Sequence, residues 1–380
     1  MPEMRRVLVY RNELLPMSET FIAAQAGAMR RYDPWFAGLG RVANGIALNR
    51  ARVTVATENG SLRDRLLRRL YLTSGYAPRF HRELRTVEPT LIHAHFAVDG
   101  CVALRLQKKL RAPLIVTLHG YDVTSSDESL RATPSGTAYL AHRRELWDRT
   151  RLFICVSEHI RRQALPLGFP EHKLWVHRIG IDLHVCEGAL LRDRMATVLF
   201  VGRLVEKKGC IHLIRAMAQV RAKLPTAQLV IIGDGPSRAS LEREARERSP
   251  NTVFLGSQPA AVVRTWMQRA RMLVAPSVVA KNGDSEGLPT VLCEAQAMRL
   301  PIVAFRGPGV SEAVIDGETA LLVDPLDDEG LSAAVIRLLG DRRLQGRLGA
   351  AGRLHAEKYF DLQRQTALLE DKYDEVLSGK

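Results

Sequence analysis

The stretch Asp284–Met298 reads Asp-Ser-Glu-Gly-Leu-Pro-Thr-Val-Leu-Cys-Glu-Ala-Gln-Ala-Met and follows Met272–Ser277, an apolar run typical of a buried strand. Pro289 favours the first turn of a helix, because its missing N–H removes no hydrogen bond there. The backbone amides of a first turn carry partial positive charge and form a good site for a phosphate. The stretch therefore predicts a strand, a polar loop and a helix whose N-terminus faces an anionic ligand.

Two glutamates flank the start of this predicted helix. Glu286 stands just before it and Glu294 lies two turns inside it, eight positions later. Side chains at this spacing share one face, so the two carboxylates can contact different parts of one elongated ligand. A nucleoside diphosphate sugar has that shape. The alternative is a helix with one N-terminal and one solvated glutamate, since this spacing alone is common by chance.

The pattern Glu286-x7-Glu294, with Gly287, Leu288 and Pro289 between its glutamates, resembles the signature of retaining glycosyltransferases of the GT-B type, in particular glycosyltransferase family 4. The resemblance implies that Glu286 lies against the donor sugar and that Glu294 binds the ribose. It also assigns the intervening Gly-Leu-Pro segment to the substrate-binding site.

A second element of the same family is Gly202-Arg203-x4-Lys208-Gly209, which resembles its G-R-x4-K-G element. The leaving nucleoside diphosphate gains negative charge as the glycosidic bond breaks, and fixed Arg and Lys side chains stabilise that charge without a metal. The resemblance gives this catalytic role to Arg203 and Lys208. The alternative is a pair of surface cations before a helix.

A third element, Gln228–Pro236, reads as a buried strand that ends in a tight glycine turn, and Gly235 leaves backbone room beside a nucleotide. The turn is not G-x-G-x-x-G, so it predicts no dinucleotide fingerprint. The three elements occur in the order found in family 4, which strengthens the resemblance.

The fold class predicted from the whole chain is α/β. Its 380 residues suit two domains, and apolar runs alternate with helix-like segments in both halves, which is typical of parallel sheets covered by helices. The resemblance implies GT-B architecture: two Rossmann-like domains facing a central cleft. We expect an acceptor-binding domain at residues 1–185, a nucleotide-sugar-binding domain at 186–360, and a C-terminal helix at 361–380 that returns to the first domain.

Polar residues that follow the predicted strands of the first half are site candidates, since ligands of such sheets bind beyond the carboxyl ends of the strands. His119 and Gly120 follow one apolar run and resemble the family's His-Gly element, whose histidine approaches the donor hexose. His93 and His95 follow another run, and one of them should point into the core. Ser18 is a predicted N-cap of a helix that extends to about Arg31, or else a residue of the substrate-binding turn.

The net charge of +14 is uneven: residues 1–185 carry 28 Lys and Arg against 17 Asp and Glu, and residues 186–380 carry 27 against 24. A basic half suggests nucleic acid, an anionic membrane surface or acidic substrates. The chain has no nucleic-acid-binding motif, so we expect no nucleic-acid partner. Ser61–Leu72 combines a leucine stripe with arginines, and it either lies on an anionic bilayer or packs its leucines on the sheet.

The location expected from the sequence is the cytoplasm, with peripheral contact at the inner face of the cell membrane. No apolar run is long enough to span a bilayer, and Met1–Arg11 is too short and too charged for a secretory signal. The five cysteines are scattered without a C-x-x-C pair, which fits reduced thiols and indicates no metal or redox site.

The resemblance implies a retaining hexosyltransferase. We expect it to need no metal and no cofactor, since the chain has no Asp-x-Asp motif. The basic first half and the Ser18–Phe21 segment, which resembles bacterial exopolysaccharide glycosyltransferases, indicate a lipid-linked or oligosaccharide acceptor. The donor base stays open between GDP and UDP. Two alternatives remain: a GT-B-like epimerase, which would release an isomerised nucleotide sugar, and a non-catalytic nucleotide-sugar-binding protein, which would lack the Glu and Arg/Lys set.

Overall fold

The computed structural model describes residues 4–43, 45–58, 61–186 and 194–379. The chain divides into two compact units, the first made of Met1–Gly180 together with Leu362–Lys380, and the second of Ile181–Asp361. Each unit contains one parallel sheet with helices between its strands. The predicted α/β class with two parallel-sheet domains is therefore confirmed.

The first unit is built on a parallel sheet that has eight strands among the described residues. These strands are β1 Arg5–Tyr10, β2 Glu13–Leu14, β3 Tyr32–Arg41, β4 Val53–Thr57, β5 Leu91–His95, β6 Leu114–Leu118, β7 Leu152–Cys155 and β8 Leu174–Val176. Their order is β2-β3-β1-β5-β6-β7-β8, and β4 also pairs with β3. The central strands β5 and β6 are buried along their whole length, as expected for a parallel sheet with both faces covered.

The helices of the first unit precede or follow these strands. They are α1 Thr20–Gly27, α2 Leu62–Ser74, α3 Pro78–Val87, α4 Ala97–Leu110, α5 Tyr121–Thr124, α6 Asp127–Arg131, α7 Pro134–Arg149 and α8 Glu158–Leu167. The polar ends of β5 and β6 lie next to the helices that follow them, which places their strand-end residues at the edge of the sheet where ligands bind.

The second unit has a six-stranded parallel sheet in the part of the chain that is described. Its strands are β9 Thr197–Val201, β10 Gln228–Ile232, β11 Val253–Phe254, β12 Met272–Ala275, β13 Ile302–Phe305 and β14 Leu321–Val323, in the order β11-β10-β9-β12-β13-β14. Its helices are α9 Cys210–Lys223, α10 Arg238–Arg248, α11 Ala260–Arg269, α12 Thr290–Ala297, α13 Pro308–Ala313, α14 Asp328–Gly340 and α15 Arg342–Tyr359.

The last helix, α16 (Leu362–Ser378), belongs to the first unit, as predicted. Its Leu369 and Tyr373 are fully buried in the core with Val7 of β1. The Glu370 carboxylate accepts hydrogen bonds from the backbone N–H groups of residues 30, 31 and 32, between α1 and β3. A side chain distant in sequence thus provides the hydrogen-bond acceptor for the backbone N–H groups that follow the end of α1.

Strand β3 was missed by the sequence analysis. Its segment contains Pro34, Gly38 and Gly40, which are residues that argue against a central strand. In the structure β3 pairs with both β1 and β4. Gly38 is required because a Cβ at that position would lie 2.4 Å from the carbonyl oxygen of Arg11.

Helix α2 bears on one of the two alternatives left open for Ser61–Leu72, the packing of its leucines on the sheet. Leu62, Leu66 and Leu70 are 75%, 69% and 42% exposed, whereas Tyr71 on the opposite face is buried. The prediction that these leucines pack on the sheet is therefore wrong. No helix among the described residues is both long enough and apolar enough to cross a membrane.

Candidate functional site

In the second unit, the loops that follow three strands pack backbone against backbone. A Cβ at Gly233, after β10, would lie 1.9 Å from the carbonyl oxygen of Gly202, after β9. A Cβ at Gly209 would lie 1.8 Å from the carbonyl oxygen of Pro276, after β12. The φ angles of Gly233 and Gly209 are +141° and +60°, which other residues rarely adopt. The glycines therefore bring the carboxyl ends of β9, β10 and β12 together.

Two consecutive lysines bind the loop after β12. Nζ of Lys208 lies 2.5 Å from Oε1 of Glu286, and the hydroxyl of Ser277 donates to the same carboxylate oxygen at 3.1 Å. Nζ of Lys207 lies 2.8 Å from Oδ1 of Asp284. The structure thus places Lys208 and Glu286, which are 78 positions apart in the sequence, in direct contact.

The Glu286 side chain is only 10% exposed, and this burial disfavours its charged form. The charges of Lys208 and Lys207, with hydrogen bonds from Lys208 and Ser277, outweigh the burial, so the pKa of Glu286 is lowered from its ordinary value. Glu286 is consequently an anion at neutral pH, and it holds the Lys208 ammonium at the edge of the sheet.

Helix α12 follows this loop and begins at Thr290, so Pro289 occupies the N-cap position, one residue earlier than predicted. No described side chain caps its first turn, in which the N–H of Leu292 donates to the carbonyl oxygen of Pro289 at 3.0 Å. The positive end of the helix is therefore not neutralised by a capping side chain. Gly287, Leu288 and Pro289 are buried, and they hold the start of α12 against the rest of the unit.

Glu294 lies inside α12 and is partly buried. Burial raises the pKa of its carboxyl group to about 7, and the positive charge of Arg264 on α11 opposes the shift. Among the described residues, none forms a hydrogen bond to this carboxylate. The carboxyl oxygens of Glu294 are therefore available to a ligand such as a ribose.

Arg203 and Gly235 lie on the neighbouring loops. Arg203 is exposed and forms no ion pair with any described residue, so its charge is available to an anion. Gly235 has a φ of +158°, and a Cβ there would lie 2.5 Å from the carbonyl oxygen of Leu204. The loop of Gly235 thus packs on the loop of Arg203, whereas neither Arg203 nor Glu294 forms an ion pair or side-chain hydrogen bond with the Lys208–Glu286 pair.

In the first unit, a buried charge cluster that the sequence analysis missed lies at the end of β1. The Arg11 guanidinium donates two hydrogen bonds to Glu19, of 2.9 and 2.5 Å, and a third to Asp99. Its carbon Cζ also lies 4.3 Å from the centre of the Phe96 ring. An arginine directly after an apolar strand was the available signal, but its partners are 8 and 88 positions away.

His119 lies beside this cluster at the end of β6. Its ring centre is 4.6 Å from that of Phe96 and 5.1 Å from that of Phe21, and its Nε2 is 3.0 Å from Nδ1 of His95. Burial, followed by the charge of Arg11, lowers the pKa of His119 well below its ordinary value. His119 is therefore a neutral hydrogen-bonding group at pH 7.

One of the other two strand-end histidines was expected to point into the core, and in the structure both His93 and His95 are buried. The ring of His93 stacks on that of His95 with centres 4.4 Å apart. Nδ1 of His93 is 2.6 Å from the Tyr373 hydroxyl, and its Nε2 is 2.6 Å from the Thr117 hydroxyl. Burial lowers the pKa of His93 to about 3, so its ring also stays neutral.

Gly120 has a φ of +155°, and its N–H donates to Oδ1 of the buried Asp122 at 2.9 Å. The other oxygen of Asp122 accepts from the N–H of Ala97, at the start of α4. The glycine thus turns the chain sharply after β6, and Asp122 fixes that turn to the neighbouring element.

Ser18 does not cap α1, so that prediction is wrong. The helix begins at Thr20, its N-cap position is Glu19, and no side chain there forms a capping hydrogen bond. Glu19 is bound to Arg11 instead, because a buried arginine requires carboxylate partners. Ser18 is exposed, and the helix ends at Gly27 rather than near Arg31. The residue of this segment that reaches His119 is Phe21.

Comparison with protein-family models gives two matches that divide the chain. Residues 196–341 match the model described as glycosyl transferases group 1, and residues 31–185 match the model described as glycosyltransferase family 4. The first match covers the Lys208–Glu286 site and the second covers the His119 site. Together they include most of both parallel sheets.

Individual relatives agree with the family models. The chain is 31% identical over 263 residues to a GDP-mannose-dependent monoacylated alpha-(1-6)-phosphatidylinositol monomannoside mannosyltransferase of Corynebacterium glutamicum, covering 64% of this chain and 65% of that protein. It is 26% identical over 254 residues to the amylovoran biosynthesis glycosyltransferase AmsK of Erwinia amylovora, covering 64% and 60%. The first four curated relatives are matched over 49% to 65% of their length.

Solved structures show the same fold at low identity. The Anabaena protein HepE, crystallised in complex with UDP and glucose, superposes with a TM-score of 0.74 at 18% identity, and the match covers 98% of this chain and 100% of that one. The fold, the order of the motifs and the two family models lead to one conclusion: this chain belongs to glycosyltransferase family 4 and has the GT-B architecture.

Proposed function

We propose that this chain is a retaining, metal-independent glycosyltransferase that moves a hexose from a GDP- or UDP-linked sugar to a lipid-linked oligosaccharide in bacterial surface polysaccharide or exopolysaccharide synthesis. The observation that carries the proposal is the Lys208–Glu286 pair, held at 2.5 Å beside the start of α12. A cation, a carboxylate and a helix N-terminus without a capping side chain at one sheet edge suit a diphosphate joined to a sugar.

In this proposal the second unit, within the predicted range 186–360, binds the donor. Lys208, Arg203 and the amides of α12 stabilise the diphosphate, and Glu286 positions the hexose. Glu294 accepts hydrogen bonds from the ribose. The exposure of Arg203 and the unbonded carboxylate of Glu294 support these roles, because both groups are available to a ligand.

The reaction breaks the bond between the anomeric carbon of the hexose and the diphosphate oxygen. A bond from the acceptor hydroxyl oxygen to the same carbon forms on the same face, and the hydroxyl proton passes to the departing diphosphate. The side chains described here include no obvious covalent nucleophile for this carbon, and front-face attack requires none. Proton NMR of the first product formed would show the retained anomeric configuration.

The first unit, within the predicted range 1–185, has the acceptor-binding role in this proposal. Its His119 contacts hydroxyl groups of the hexose, and Gly120 lets the backbone approach the sugar. The neutral state of His119 supports this role, since a neutral imidazole both donates and accepts hydrogen bonds as a hydroxyl does. The role of Ser18 in substrate binding rests only on its exposure next to this segment.

The donor assignment is tested by titrating the purified protein with GDP, UDP, ADP and their common sugars in the presence of EDTA. We expect one nucleotide class to bind tightly without metal. Lys208→Ala and Glu286→Ala should each lower the transfer rate by about 10²–10³-fold, as loss of a charge-stabilising group does in other enzymes. Lys207→Ala is the matched control, because it removes the neighbouring ion pair and leaves Lys208 on Glu286.

Absence of binding by every nucleotide would contradict the transferase proposal and favour the non-catalytic alternative. Release of an isomerised nucleotide sugar without an acceptor would favour the epimerase. Near-normal turnover of either Lys208→Ala or Glu286→Ala would contradict the site assignment.

The proposed acceptor class and membrane location rest on relatives and on α2. The names of the two relatives refer to a phosphatidylinositol monomannoside and to amylovoran biosynthesis. In this chain, the exposed Leu62, Leu66 and Leu70 form a stripe along α2, with the exposed Arg65 and Arg69 beside it. An apolar stripe between arginines matches the surface of an anionic bilayer at the inner face of the cell membrane.

We predict that the protein co-sediments with vesicles containing phosphatidylglycerol and not with pure phosphatidylcholine vesicles. Leu62→Ser/Leu66→Ser should lower the bound fraction at least severalfold, because each leucine contributes buried apolar area in the interface. Leu354→Ser in the second unit is the matched control, since Leu354 is 67% exposed and lies outside this stripe. Equal losses in both variants would contradict a role for α2.

A further inference from the structure

The position of His119 depends on a second histidine to which the resemblance assigns no role. Nδ1 of His95 lies 3.0 Å from Nε2 of His119, and the two rings are stacked with centres 5.3 Å apart and planes inclined by 23°. His95 is 2% exposed, so this hydrogen bond forms away from solvent. One of the two ring nitrogens of His119 is thereby occupied inside the protein.

The ring of His119 has little freedom to change this arrangement. Phe96 and Phe21 contact it, with ring centres 4.6 and 5.1 Å away. Its own backbone N–H is bound by Oδ1 of Asp122 at 3.2 Å. The ring is thus held by aromatic neighbours and by its backbone, and Nδ1 is the nitrogen left for a ligand.

His95 is itself supported from behind. The His93 ring stacks on it at 4.4 Å, and His93 is bound at both nitrogens, by Tyr373 of α16 and by Thr117 of β6. A ring with both nitrogens bonded cannot rotate without breaking a buried hydrogen bond. The stack therefore presents His95 to His119 in one orientation.

We propose that His95 is a positioning residue for His119: its hydrogen bond to Nε2 fixes the orientation and tautomer of the His119 ring and leaves Nδ1 to meet a hydroxyl of the transferred sugar. This inference rests on the proposed function, in which His119 contacts the hexose. The physical basis is that the hydrogen bond at one imidazole nitrogen decides whether the other donates or accepts.

The test compares two substitutions at position 95, one that keeps a hydrogen-bonding group near the position of Nδ1 and one that removes it. An asparagine amide occupies the place of Nδ1 and keeps a hydrogen-bonding group there, whereas a leucine fills the space without one. We expect His95→Leu to lower kcat/KM for the donor roughly tenfold, the usual effect of one lost hydrogen bond. His95→Asn should recover most of that loss.

Coupling to His119 is measured in a double-mutant cycle. In the His119→Ala background, His95→Leu should change kcat/KM by less than about twofold, since its effect passes through the missing ring. Tyr373→Phe is the control for general disturbance of the stack, because it removes the outermost hydrogen bond and leaves the His95–His119 contact. We expect it to lower kcat/KM less than His95→Leu does, because Thr117 still holds the His93 ring.

A readout without turnover separates this inference from the proposed function. The ¹⁵N shifts of the His119 ring should be alike in the wild type and His95→Asn, and the Nε2 shift should move in His95→Leu. Unchanged His119 shifts in His95→Leu, or an equal loss of kcat/KM with and without His119, would overturn the proposal. Failure of all transfer would instead contradict the proposed function, and the shifts would still decide whether His95 positions His119.

Discussion

The two units place different chemistry at the ends of their strands. In the second unit, Arg203 is exposed without an ion pair among the described residues, and Lys208 is held by a single carboxylate, Glu286. In the first unit, Glu19 and Asp99 neutralise the charge of Arg11 in ion pairs. The group that remains for a ligand at the carboxyl ends of the strands is the neutral His119. The second unit thus offers charge to a ligand, and the first offers neutral hydrogen bonds.

This difference indicates a division of tasks in the proposed reaction. A departing diphosphate needs positive charge that stays in place, which a lysine held by a buried carboxylate supplies. Sugar hydroxyls need donors and acceptors without net charge, which a neutral imidazole supplies. The buried charges at the end of β1 therefore serve the folding of the first unit, and the charges at the strand ends of the second unit serve its ligand.

The largest expected effect concerns the buried cluster of the first unit. Arg11→Met should lower the free energy of unfolding by about 3–5 kcal/mol, because it leaves Glu19 and Asp99 buried without a cation. Urea denaturation at pH 7 measures this loss. Arg161→Met is the matched control: Arg161 also pairs with two carboxylates, Glu158 and Glu171, but these are 56% and 70% exposed, so its loss should be within about 1 kcal/mol. Equal losses of unfolding free energy in the two variants would contradict the claim that the buried cluster of Arg11 stabilises the first unit more than an exposed ion pair does.

A smaller effect is expected from the pH dependence of Glu294. Its pKa is raised from 4.5 to about 7 by burial, so between these values the folded protein holds a proton that the unfolded chain has lost. The free energy of unfolding of the wild type should therefore fall relative to Glu294→Gln as the pH rises from about 4.5 to 7, and then stay level. A difference that is constant across this range, in denaturation curves at several pH values, would contradict the shift.

The smallest effect compares two serines of the first unit. Ser61 caps α2 in a capping box with Asp64, so Ser61→Ala should cost about 1 kcal/mol. Ser18 makes no capping bond, so Ser18→Ala should change stability by less than about 0.5 kcal/mol. Thermal denaturation of the two variants distinguishes these expectations. A larger loss of stability in Ser18→Ala would support the helix cap that the sequence predicted at Ser18.

The same contrast explains what the sequence could predict. Strands such as β6 and β12 are continuous apolar runs and were found, whereas β3 was missed because its glycines fit close backbone contacts that only the fold creates. Lys208 and Glu286 were found because each stands in a recognisable loop motif. The structure adds that the two side chains form one ion pair.

The site of the first unit was less accessible to sequence reasoning. His119 was a candidate as a strand-end histidine, but the groups that decide its state are Arg11, His95 and Phe21, none of which lies near it in the chain. The Ser18 prediction failed for the same reason. A local capping rule does not anticipate that a buried arginine from β1 claims the neighbouring Glu19.

The most direct test of the division between charged and neutral ends is the contribution of the second phosphate to nucleotide affinity. Calorimetric titration without metal would compare the nucleoside diphosphate of the preferred donor with its monophosphate in the wild type, Lys208→Ala and His119→Ala. We predict that the diphosphate binds at least about tenfold tighter in the wild type and in His119→Ala, and that Lys208→Ala removes most of this difference. A difference that survives in Lys208→Ala and disappears in His119→Ala would contradict the account.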